Sequence, residues 1–136
     1  MGFTRYWTRT EKPLTEEFVD AVRNIVAYAE DKGIHICGGN GDGEPLISTE
    51  QIWLNGDATI GADHETFYLA TDQPAEWDFC KTAEKPYDFV VKRILETAKA
   101  MEIVKNVESD GECEEMTDVE WVDYCAEMRK KYPYFG

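Results

Sequence analysis

The sequence predicts an α+β protein: a mostly antiparallel sheet of about five strands with two long helices on one face, followed by an acidic C-terminal helix. Three observations carry this. Two long segments within the first 101 residues repeat apolar side chains at helical spacing. Short strand-like runs cluster between them, with too few helices intervening for a parallel βαβ sheet. A chain of 136 residues that is 43% hydrophobic and 12% aromatic has the apolar surface to fill one core, which argues against disorder despite its charge. Residues 1–111 read as a single α+β domain and 112–136 as an acidic helical extension packed on it.

Residues 3–10, rich in Thr and aromatics, predict an opening strand. Pro13-Leu14-Thr15 announces the first helix: Thr15 is a cap, Glu16 and Glu17 suit the positive N-terminal end, and Leu14 with Val19 has the spacing of a hydrophobic staple. Phe18, Val19, Val22, Ile25, Val26 and Ala29 form its apolar stripe, and Gly33 stops it. Ile34 to Cys37 predicts a strand leading into Gly38-Gly39-Asn40-Gly41-Asp42-Gly43. That loop is a poor phosphate cradle, because Glu44-Pro45-Leu46-Ile47 continues extended where a helix would have to begin. It also fails as an EF-hand loop, since Pro45 occupies the position that needs glycine. A long hairpin loop is the expectation.

Gln51 to Leu54, closed by the turn dipeptide Asn55-Gly56, and Glu65 to Leu69 predict two more strands. The pattern from Pro74 to Glu84 does not choose between a short helix and an ordered loop. Pro86 fits the first turn of a second helix, with Tyr87, Val90, Val91, Ile94, Leu95, Ala98 and Met101 buried and Lys92, Arg93 and Lys99 on a solvated basic side. Ile103 to Val107 predicts a last strand before Ser109-Asp110-Gly111. Thr117 and Glu120 make a capping box, and Met116 with Trp121 a staple, for the closing helix.

The net charge of −14 is unevenly placed. Residues 33–80 hold nine acids and no Lys or Arg, and residues 108–127 hold nine more, again with no base. The remaining ten acids and all 14 bases leave the rest of the chain at +4. Such a chain cannot offer the broad basic face that direct nucleic-acid binding needs. It has no run of about 18 apolar residues for a membrane span, and its polar Met-Gly-Phe-Thr-Arg-Tyr start lacks a signal-peptide core, so the expectation is a cytoplasmic protein. The four cysteines, Cys37, Cys80, Cys113 and Cys125, form no Cys-x-x-Cys pair, and the histidines are His35 and His64. A zinc site would need ligands brought together purely by the fold, so neither metal nor cofactor is expected.

Three clusters are candidates for chemistry. His64 with Cys80 has the residue types of a thiolate nucleophile. Lys81, Lys85 and Asp88 enter the second helix, where a helix N-terminus with two lysines suits a phosphate or carboxylate; Arg5 and Arg9 join them if the first strand ends nearby. The acidic segments, with Glu114, Glu115, Asp118 and Trp121 in the extension, suit a basic protein partner, to which Trp53, Tyr132, Tyr134 and Phe135 would add contact energy.

His64-Glu65-Thr66-Phe67 followed by Phe79-Cys80-Lys81-Thr82-x-x-Lys85-Pro86-Tyr87-Asp88 resembles an uncharacterised family of small proteins of tailed phages and bacteria. Arg5-Tyr6-Trp7-Thr8-Arg9, Gly41-Asp42-Gly43-Glu44-Pro45 and Ser109-Asp110-Gly111 are similar too. The resemblance covers most of residues 2–111 and implies a phage or mobile-element origin without an activity; it also implies Arg where this chain has Glu84. Together these features lead to three expectations. The first is a non-enzymatic binding protein acting on a host or phage protein with a basic surface, as an anti-defence inhibitor or polyanion mimic. The second is a binder of a nucleotide or other phosphorylated small molecule through Lys81, Lys85, Arg5 and Arg9. The third is a cysteine enzyme using Cys80 and His64.

Overall fold

A computed structural model describes residues 3–110. The closing helix expected from Thr117 onward, and Glu114, Glu115, Asp118 and Trp121 with it, lie outside the described residues. Strand β1 (Thr4–Arg9) is followed by helix α1 (Glu16–Asp31), strands β2 (Leu46–Ile47) and β3 (Gln51–Leu54), a 3-10 turn (Ala58–Ile60), strands β4 (Phe67–Ala70) and β5 (Trp77–Lys81), helix α2 (Asp88–Ala100) and strand β6 (Val104–Ser109). The α+β class holds, but the six strands form two three-stranded antiparallel sheets, ordered β5-β1-β6 and β2-β3-β4, where one sheet of about five was expected.

Helix α1 forms where its caps place it. Thr15 Oγ1 accepts from the Phe18 N–H at 3.2 Å, Leu14 and Val19 are buried, and Gly33 adopts the left-handed φ of 87° just past the end. The expected strand from Ile34 to Cys37 shrinks to one bridge between Cys37 and Asn55. Its continuation is taken by the glycine loop, in which the Gly38 N–H donates to the Asp42 and Gly43 carbonyls at 3.0 and 3.2 Å. Gly39 is needed because Trp53 lies on it; a Cβ there would come 2.2 Å from Trp53 Cε2. Trp53, expected as an exposed contact residue, is therefore half-covered by this loop.

Both sheets and both helices share one core. Trp7 of β1 tilts against Phe67 of β4 with ring centroids 5.4 Å apart, and Phe18, Ile25, Ile52, Leu69, Val90 and Ile94 close around them. At the end of β4, the Ala70 backbone is bonded outside its own sheet. The Ala70 N–H donates to Gln73 Oε1 at 2.8 Å, and its carbonyl accepts from Arg9 at 2.9 Å. Arg93 also departs from expectation. It is a buried residue of α2, its guanidinium 5.5 Å from the Phe89 ring centroid and hydrogen-bonded to Glu96 at 2.9 Å.

Candidate functional site

Strand β1 alternates, as any strand must, between two faces of its sheet. Arg5, Trp7 and Arg9 point inward and are buried; Tyr6 and Thr8 point outward. Its neighbour β5 follows the same register, Tyr6 opposite Phe79 and Thr8 opposite Trp77, so Cys80 turns inward while Trp77 and Phe79 face out. The sheet thus hides two arginines and shows three aromatics.

On the inner face Arg5 meets Asp88. Its Nε and one terminal nitrogen donate to the two Asp88 oxygens at 2.8 and 2.7 Å, and Thr82 Oγ1 donates to Asp88 Oδ1 at 2.6 Å. Asp88 and Thr82 are fully buried and Arg5 nearly so. The turn between β5 and α2 makes this possible. Thr82 and Ala83 both donate their N–H to the Phe3 carbonyl at 3.0 Å, and Ala83 and Glu84 adopt left-handed φ values of 54° and 56°. Two non-glycine residues there cost about 1–2 kcal/mol each, offset by the ion pair that the reversal delivers.

Arg9 serves a different place. It is 1% exposed and donates to the carbonyls of Thr10, Lys12, Ile103 and Ala70 at 2.9, 3.1, 2.8 and 2.9 Å, joining β1 to the start of β6 and to β4. Burial pulls its pKa below the usual arginine value. Lys81 is exposed at the end of β5, and Lys85 Nζ donates to the Gly61 carbonyl at 3.0 Å. Of the five residues expected to meet in one anion pocket, the structure joins Arg5 to Asp88, holds Arg9 among backbone carbonyls and leaves the two lysines at the surface.

Among the described residues, no hydrogen bond joins Cys80 to His64. Cys80 is buried, its Sγ within 3.5 and 3.7 Å of the Glu65 and Thr66 carbonyls, and His64 is exposed. Burial, reinforced by the Glu65 carboxylate, pushes the thiol up to about 12, so it stays protonated at neutral pH.

The outer face is the larger surprise. Trp77 stacks on Tyr6 at 5.9 Å between centroids and 21° between planes, and also meets Phe79, the residue across from Tyr6, at 5.3 Å. Trp77 is nevertheless 60% exposed and Phe79 38%. Acids border the patch. Glu108 of β6 pairs with Tyr6 in the sheet, the Tyr6 hydroxyl donates to Asp110 Oδ1 at 2.7 Å, and Glu76 precedes β5. The Asp110 hydrogen bond raises the Tyr6 pKa. Sequence reasoning missed Trp77 and Phe79 because Trp-Asp-Phe-Cys-Lys alternates with its large apolar residues on the solvent side; the alternation itself was the available signal. His35, Cys37 and Asp57 are likewise drawn together, with side-chain ligand atoms within 4.8 Å of one another.

Comparison with known proteins adds no relative: no family model, no curated protein and no solved structure matches the chain. Among the described residues, no helix is long and apolar enough to cross a membrane.

Proposed function

We propose that this chain is a non-enzymatic binding protein, of the kind a phage or mobile element carries, that docks on a host or phage protein with a basic surface. The observation that carries the reading is the exposed aromatic ladder Tyr6–Trp77–Phe79 on the outer face of β5-β1-β6. Protein interfaces concentrate aromatic side chains, and burying a large apolar side chain contributes about 1.5–3 kcal/mol. A strand that turns Trp and Phe to water and Asp and Cys inward forgoes that gain in the isolated chain. A partner covering the face recovers it.

Charge selects the partner. Glu76, Glu108 and Asp110 border the ladder, and residues 33–80 supply nine acids without a base. Their field steers a basic surface toward the face and raises the association rate, while the aromatics slow dissociation. The chemistry of the buried groups gives no support to catalysis: the Cys80 thiol is held protonated, and Arg5 and Asp88 neutralise each other.

The test is capture of partners from a bacterial lysate by the immobilised chain, comparing wild type with Trp77→Ala at low and high salt. The reading expects a captured set that includes basic proteins, weakens as salt rises and is lost in the variant. The same set retained by Trp77→Ala, or capture indifferent to salt, contradicts it.

A further inference from the structure

His35, Cys37 and Asp57 lie apart from both faces of that sheet. The Cys37–Asn55 bridge sets their geometry: the Cys37 N–H donates to the Asn55 carbonyl at 2.9 Å and the Asn55 N–H to the Cys37 carbonyl at 3.0 Å. Carried two residues further in the same antiparallel sense, this register brings Asp57 opposite His35, and alternation puts His35 on the same side of the chain as Cys37. One His35 ring nitrogen, Cys37 Sγ and an Asp57 carboxylate oxygen consequently fall within 4.8 Å of one another.

Two of the three side chains are already oriented. Asp57 caps the 3-10 turn, its Oδ1 accepting from the Thr59 N–H and Oγ1 at 2.9 and 2.7 Å, which leaves Oδ2 for another partner. His35 Nδ1 lies 3.0 and 3.1 Å from the two Glu30 oxygens. A carboxylate at that distance makes Nδ1–H the donor and leaves the lone pair on Nε2, the arrangement that accompanies imidazole bound to a metal. The local sequence also favours a cation, since no Lys or Arg occurs from residue 33 to 80.

We propose that His35, Cys37 and Asp57 form a binding site for a divalent transition-metal ion of the zinc type, with Glu30 positioning the imidazole and a solvent molecule completing four-coordination. The donor set identifies the class: thiolate and imidazole suit zinc and its neighbours, whereas calcium and magnesium take oxygen. Bonds of about 2.0 Å to nitrogen and oxygen and 2.3 Å to sulfur place tetrahedral ligands roughly 3.3–3.5 Å apart, so the three atoms close by at most about 1.5 Å. His35 is exposed and Asp57 half-exposed, so side-chain rotation supplies that movement. On binding, the sulfur–metal bond forms as the Cys37 S–H proton leaves to solvent.

Cobalt(II) titration of the full chain, kept reduced by a phosphine, tests the site. One equivalent should bind with a near-ultraviolet thiolate-to-cobalt charge-transfer band that zinc then abolishes. Cys37→Ser should remove the band. His35→Ala and Asp57→Asn should each weaken binding at least tenfold, and Glu30→Gln about 10–100-fold, while His64→Ala leaves it unchanged. His35 is exposed, so His35→Ala decides the matter even where Cys37→Ser folds poorly, with circular dichroism checking the fold. No band in wild type, a band that survives in Cys37→Ser, or unchanged affinity in a folded His35→Ala overturns the proposal.

Discussion

The two faces of the β5-β1-β6 sheet reverse the usual division of labour. Beside Trp7, the face turned to the core carries Arg5, Arg9 and the thiol of Cys80, and receives Asp88 and Thr82; the face turned to solvent carries Tyr6, Trp77 and Phe79. Buried charge is tolerated because most of the polar contacts it needs are supplied within the chain, by a bidentate carboxylate for Arg5 and four carbonyls for the terminal nitrogens of Arg9, whose Nε alone is left without a partner among the described residues. Among the described residues the exposed aromatics are engaged by their mutual stacking and the Tyr6–Asp110 bond. The difference teaches that buried charge on this sheet organises the fold, while large apolar side chains are left on its outer face, where the proposed docking needs them.

The comparison breaks most visibly on the inner face. Asp88→Ala leaves Arg5 as an uncompensated buried charge and should destabilise the chain by about 3–5 kcal/mol in a urea titration. Replacing both partners, as Arg5→Met with Asp88→Leu, should recover most of that loss. A cost for Asp88→Ala below about 1 kcal/mol would mean that the pair is solvated.

Cys80 sharpens the same point chemically. With its pKa pushed up to about 12 from an ordinary 9.0, its thiolate fraction at pH 8 is lower by about a thousandfold. Alkylation of the native chain at Cys80 should be slower by about that factor. Its rate should rise about tenfold per pH unit toward pH 12, because the raised pKa keeps the proton on throughout that window. Modification at the rate of an exposed thiol would show that Cys80 is not buried.

Gly39→Ala probes the loop beneath Trp53, away from both faces. The added Cβ collides with the indole, so a loss of about 1–3 kcal/mol is expected in the same urea titration. The smallest effect belongs to the outer face: Trp77→Ser, at a position 60% exposed, should change stability by no more than about 0.5 kcal/mol.

Where local chemistry decides an element, the sequence was legible. Helix α1 follows from Thr15, the Leu14–Val19 staple and Gly33, β1 from its Thr and aromatic content, and β3, β4, α2 and β6 from their apolar runs and turn residues. Strand β5 was not legible, because Trp77 and Phe79 contradict the assumption that large apolar residues mark the buried side. Arg5 and Asp88 were singled out for their chemistry, yet residue type does not say whether an arginine's carboxylate comes from a ligand or from 83 positions away in the same chain. The division into two sheets, and the Arg9–Ala70 and Gln73–Ala70 bonds at the end of β4, have no sequence signature. His35-x-Cys37 and Asn55-Gly56-Asp57 are each visible as short strings, but only the Cys37–Asn55 pairing sets them side by side.

The measurement that bears most directly on the central claim joins stability and binding in one variant, Trp77→Ser/Phe79→Ser. Its urea midpoint and its capture of basic partners at low and high salt are compared with wild type. Near-wild-type stability with loss of the salt-sensitive captured set is the predicted result. An unfolded variant, or a folded one that captures the same proteins, contradicts the assignment of the aromatic face to a partner.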